Sequence, residues 1–206
     1  MDYGTSYAKS IMIDYTFYYS GPLIFKTKIS KEDLNLIKSL CKKDKKKDYR
    51  KHLVGHLDHE YSIDAVKIQL ILNKYLDSHK HVYEQFYAKS YPGKINCNSA
   101  WVNYMKSGET NPMHTHTDCD FSSVIFLNIP EGLKEENKRF VGTSIGPGSL
   151  SFHISAVSDH CIDSVTVMPE IGDFFIFPWN LKHFVSSFKS KGERISVACN
   201  FNFKKE

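Results

Sequence analysis

The sequence predicts a mainly β protein of the α+β class: a jelly roll of two packed sheets, with N-terminal helices laid on one face. Three observations predict it. Two stretches of helical periodicity sit in the first half of the chain. Short runs rich in Val, Ile, Phe and Tyr crowd the second half, separated by Gly, Pro, Ser and Asn. Helices first and strands afterwards put the helices on one side of an antiparallel assembly, not between parallel strands.

Each element has a local reason. A short strand is expected over Pro22–Lys28. Ser30-Lys31-Glu32-Asp33 resembles a capping box, and Leu34, Leu36, Ile37 and Leu40 follow at helical spacing. From Ser62 to Tyr87 a stripe of Ile68, Ile71, Leu72, Tyr75, Leu76, Val82, Tyr83 and Phe86 keeps a 3.6-residue period, with a bend expected near Ser78. Tyr91-Pro92-Gly93 closes this region. Strands are then expected over Ala100–Lys106, Ser122–Ile129, Ser149–Ile154, Val165–Met168, Phe174–Phe177, Phe184–Ser187 and Ile195–Phe203. The segments Glu131–Ile145 and Ala156–Asp163 are left as loops.

At 206 residues the chain fits one domain, with 1–94 as helical support and 95–206 as the β core. The net charge of +4 sits largely in one run, Cys41–His52, which is expected to be a solvated helix end and loop, so a nucleic-acid-binding face is not indicated. Five cysteines (Cys41, Cys97, Cys119, Cys161, Cys199) lie far apart with no C-x-x-C pair. That pattern suits reduced thiols in a cytoplasm-like compartment. The longest apolar runs are too short to cross a bilayer, so no membrane partner is expected.

Chemistry concentrates in residues 111–130, NPMHTHTDCDFSSVIFLNIP. His114, His116, Asp118 and Asp120 share one parity, and in an extended chain residues i and i+2 point to one face. Two imidazoles and a carboxylate that leave open positions suit non-haem Fe(II). Successive same-face residues lie about 6.6 Å apart, so two neighbours of the set can converge on an ion but three cannot. The strand therefore supplies His116 with Asp118, or His114 with His116 in the manner of a cupin H-x-H, with Asp120 as a candidate extra ligand in the second case. His183, which opens a strand after Gly-Asp-Phe-Phe-Ile-Phe-Pro, supplies the third ligand. The other histidines (His52, His56, His59, His79, His81, His153, His160) are expected at the surface or as satisfied core residues.

Eleven residues beyond His183, Arg194 and Ser196 again share a face. A guanidinium fork suits a carboxylate, and a hydroxyl adds a donor. A small dicarboxylate could thus chelate the ion at one end and pair with Arg194 at the other. Trp101, Trp179 and Phe184 are candidate cavity walls.

With these residues in view, the stretches WVNYMKSGETNPMHTHTD, SSVIFLNIP, GDFFIFPWNLKH and ERISVACNFNF resemble the Fe(II)- and 2-oxoglutarate-dependent oxygenases. The nearest likeness is to prolyl-hydroxylase-like members common in phages and marine bacteria. The resemblance covers residues 95–203. It implies a double-stranded β-helix, with His116, Asp118 and His183 holding Fe(II) and with Arg194 and Ser196 binding the distal carboxylate of 2-oxoglutarate. Tyr104 would be a further cosubstrate contact. In the nearest relatives both histidines of the H-x-H are the steadier feature, which favours His114. The implied activity is O₂-dependent hydroxylation of a protein, peptide or small-molecule C–H, with release of succinate and CO₂. Two other readings stand beside it: a cupin-type metal enzyme that does not use 2-oxoglutarate, and a non-catalytic jelly-roll binding module.

Overall fold

The computed structural model describes residues 21–154 and 161–204. His160 and most of the loop expected over Ala156–Asp163 lie outside the described residues.

After β1 (Phe25–Lys28) comes α1 (Lys31–Leu40), capped as its sequence implies. The Asp33 N–H donates to Ser30 Oγ, and the Ser30 hydroxyl donates back to the Asp33 carboxylate at 2.9 Å. The same carboxylate accepts from Tyr75 Oη at 2.6 Å and pairs with Lys74 at 2.7 Å, which fastens α1 to α2 (Ala65–Tyr87). Ile68, Leu72, Tyr75, Leu76 and His79 form the buried stripe of α2. The helix is not broken near Ser78. The Ser78 hydroxyl donates to the Lys74 carbonyl inside an unbroken helix, which ends where Ala88 turns left-handed.

The remaining elements are β2 (Glu60–Ser62), β3 (Ile95–Met105), β4 (Asn111–His114), β5 (Phe121–Asn128), α3 (Glu131–Lys138), β6 (Leu150–His153), β7 (Ser164–Val167), β8 (Asp173–Pro178), β9 (Lys182–Val185) and β10 (Arg194–Phe203). They form two antiparallel sheets, one ordered β1-β8-β5-β10-β3-β2 and the other β4-β9-β6-β7. Three elements had no strong sequence signal. β2 is too short for an alternation to register. β4 is polar and contains Pro112. α3 buries only Leu133, so the stretch resembles a loop.

Strand alternation gives the six-stranded sheet two different faces. Ala100, Val102 and Tyr104 on β3, and Val197, Cys199 and Phe201 on β10, join Ile37, Ile68 and Leu72 of the helices in one apolar core. Met105, Phe126, Phe175 and Phe177 point the other way and meet Leu150, Phe152 and Val185 of the four-stranded sheet in a second core. At one end of that inter-sheet layer the packing opens into a polar cavity. The basic run Cys41–His52 forms two exposed 3₁₀ turns, Lys45–Lys47 and Arg50–His52. Among the described residues no helix is long and apolar enough to cross a membrane.

Candidate metal centre

β4 and β9 are neighbours in the smaller sheet, and their register sets His114 directly opposite His183. β4 ends at His114, and the chain turns so that the His116 N–H donates to the Trp179 carbonyl at 2.9 Å. This anchor brings His116 over the same spot. The three imidazoles offer ligand nitrogens that all lie within 4.8 Å of one another. His116 Nε2 and His183 Nε2 are 3.2 Å apart, with the two rings nearly parallel at 11°.

The surroundings prepare these rings for a cation. His114 Nδ1 donates to the Pro112 carbonyl at 2.7 Å, and His183 Nδ1 donates to the Leu181 carbonyl at 2.8 Å. Each bond fixes the tautomer and leaves the Nε2 lone pair free for a metal. Burial pushes all three histidines down, His116 to about 3, so they are neutral at physiological pH. Phe177 and Phe152 pack on His183 with ring centroids 4.7 and 6.0 Å away. Three neutral imidazoles thus converge their ligand nitrogens on one point. A divalent ion is what such a set fits.

Asp118 is placed differently. Sharing a face with His116 requires an extended chain through residue 118, but the backbone bends there and Asp118 adopts φ 57°. Its carbonyl accepts from Asn98 Nδ2 and Asn202 Nδ2, and its carboxylate is not part of the three-histidine group. Asp120 is tied to β10, where its carboxylate accepts from the Phe203 N–H at 2.7 Å.

Arg194 and Ser196 open β10 on the cavity face, each 2% exposed. Arg194 Nε and Nη2 have no hydrogen-bond partner among the described residues, and the guanidinium lies 4.8 Å from the Phe126 ring centroid. Desolvation drags its pKa down to about 9. A buried guanidinium with idle donors is costly unless an anion arrives, and a carboxylate fits its fork.

Histidines and Arg194 line one cavity of about 250 Å³. Trp101 is also in its wall, whereas Trp179 is 43% exposed. Tyr104 faces the helices, with its ring 6.1 Å from that of Tyr61. The residue that β3 turns toward the cavity is its neighbour Asn103. Glu60, Tyr49, His52 and Asn200 also line the cavity without having been anticipated from the sequence. His79, by contrast, is a core residue bonded to Tyr91 Oη at 3.0 Å.

Comparison with known proteins agrees with this chemistry. Residues 99–200 match a family described as "Putative 2OG-Fe(II) oxygenase". A search of curated protein sequences finds no match. Among solved structures, a Pseudomonas putida prolyl-4-hydroxylase is similar at 16% identity and TM-score 0.54, over 88% of this chain and 93% of that one. A 2OG-Fe(II) oxygenase-family oxidoreductase from Burkholderia pseudomallei is similar at 15% identity and TM-score 0.53, over 88% and 84%. HygX from Streptomyces hygroscopicus, solved with nickel and 2-oxoglutarate bound, is similar at 8% identity and TM-score 0.52, over 88% and 83%. The matched segment runs from β3 into β10 and holds the three histidines and Arg194, and over it the chain is similar to the Fe(II)- and 2-oxoglutarate-dependent oxygenases.

Proposed function

We propose that His114, His116 and His183 hold Fe(II), that Arg194 and Ser196 hold the distal carboxylate of 2-oxoglutarate, and that the enzyme hydroxylates a C–H of a peptide side chain or small molecule. One observation carries this reading: three neutral imidazoles and a buried guanidinium with unused donors line the same cavity. On this reading the two sheets form a double-stranded β-helix, with the helices supporting its larger sheet.

The residues divide the work. His114 and His183 are held by backbone carbonyls, so their Nε2 atoms stay aimed without a carboxylate in the ligand set. Three imidazoles leave the metal's charge uncompensated, and the dianionic cosubstrate would supply the balance. Arg194 binds the far carboxylate and so sets the cosubstrate's orientation. Phe177, Val185 and Leu150 in the cavity wall exclude water from the reacting end. When bound, iron with 2-oxoglutarate and O₂ supplies oxidative decarboxylation to succinate and CO₂, coupled to hydroxylation of the substrate.

Arg194→Met tests the reading. Removing a charge-assisted donor from a buried carboxylate costs about 2–5 kcal/mol, so the 2-oxoglutarate constant should rise at least about tenfold. Fe(II) affinity should remain close to wild type, and Lys should rescue only part, because it lacks the planar fork. An unchanged 2-oxoglutarate constant in Arg194→Met contradicts the assignment.

A further inference from the structure

Beyond Arg194, the same cavity wall carries buried polar atoms without partners, and these are acceptors. Glu60 on β2 is the register partner of Asn103 on β3, which in turn is the partner of Ser196 on β10. The three form one row across the sheet, and all line the cavity. Glu60 is 1% exposed and Asn103 5% exposed. Glu60 Oε2, Asn103 Oδ1 and Asn200 Oδ1 have no hydrogen-bond partner among the described residues.

Buried acceptors without donors are costly, and a ligand that donates relieves that cost. The cosubstrate cannot do this, because its carboxylate ends are themselves acceptors. A carboxylate next to amide oxygens calls for a donor that also carries positive charge. Tyr49 and Trp101 stand in the same wall with ring centroids 5.9 Å apart, and aromatic faces attract a cation further. Burial, helped by the nearby Glu109, pushes the Glu60 carboxyl up to about 7, so an arriving cation would readily hold it ionised.

We infer that Glu60 and Asn103 are specificity-determining residues for the primary substrate, and that the group they read is a protonated amine. The amine belongs either to a lysine-type side chain of a peptide or to a free alkylamine. The inference rests on the iron and 2-oxoglutarate assignments above, which leave Glu60 and Asn103 in the same cavity free for the primary substrate.

The test uses the full chain loaded with Ni(II) and 2-oxoglutarate, with binding followed by ligand-observed NMR. The probes are n-pentylammonium and n-pentanol, and a short peptide with one lysine beside its Nε-acetylated twin. Each ammonium should bind at least about tenfold tighter than its neutral partner. Glu60→Gln keeps the shape and removes the charge, and it should cut that ratio to below about threefold with nickel and 2-oxoglutarate constants unchanged. Tighter binding of the peptide would point to a protein substrate, and tighter binding of the free amine to a small one. The wild-type ratio is informative even if the variant fails to fold. Equal affinity for charged and neutral probes overturns the inference, as does a ratio that survives Glu60→Gln. If 2-oxoglutarate binding is intact when this happens, the oxygenase reading stands and only the amine is wrong. If wild type fails to bind 2-oxoglutarate at all, both fall.

Discussion

The two faces of the six-stranded sheet are built from the same strands and obey opposite rules. On β10, Val197, Cys199 and Phe201 pack against the helices, while Arg194, Ser196 and Asn200 face the cavity. The helix side is apolar, and a buried carboxylate near the helices, Asp33, is saturated with donors. The cavity side keeps idle buried atoms on Glu60, Asn103, Arg194 and Asn200. A strand's period of two lets one face provide stability while the other tolerates groups that are unsatisfied until ligands bind. Substitutions on the two faces should therefore separate stability from binding.

The largest effect is expected on the helix side. Leu72 is fully buried under α2, and Leu72→Ala should cost about 2–5 kcal/mol of stability. Urea unfolding measures it, and the fraction that remains folded should bind Fe(II) as before. A change in iron affinity comparable to the stability loss would blur the division between faces.

His183→Ala makes the converse experiment. Changes that merely misorient a ligand cost 10–100-fold in metal affinity, so deleting one should cost more than about 100-fold. The protein should stay folded, because the imidazole is held by one backbone bond and aromatic contacts at the cavity rim. Iron stoichiometry after purification and the far-ultraviolet spectrum report the two outcomes separately.

Glu60→Gln should give a smaller and pH-dependent gain. The folded carboxyl holds its proton up to about 7, whereas an unfolded one releases it near its ordinary value of 4.5. Between these values the folded state binds more protons, so wild-type stability falls as pH rises. The variant should therefore gain on wild type across this window, by on the order of 1–3 kcal/mol, and keep the gain above it. Metal-free protein unfolded at pH 5 and pH 8 would show it, and a constant difference at both would contradict the buried-acid reading.

Much of this arrangement was legible in the sequence because alternation needs only extended chain. Arg194 and Ser196 share a face because β10 runs extended through them. The same reasoning breaks at Asp118, where the chain has left β4 and turns through positive φ. It also fails by one step at Tyr104. A shift of one residue exchanges the faces of a strand, and it is Asn103 that meets the cavity. Glu60 carried no local signal, since its strand is three residues long and lies far from the histidines in sequence. Only the pairing of β2 with β3 brings it to the site.

The central claim is that the metal is held by three histidines with no carboxylate. Its most direct test is Fe(II) affinity, measured anaerobically, in His114→Ala and Asp118→Ala side by side. The geometry predicts a loss above about 100-fold for His114→Ala and a change within about threefold for Asp118→Ala, since the Asp118 carboxylate stands outside the cluster. The opposite order, with iron lost in Asp118→Ala and retained in His114→Ala, would contradict the three-histidine centre.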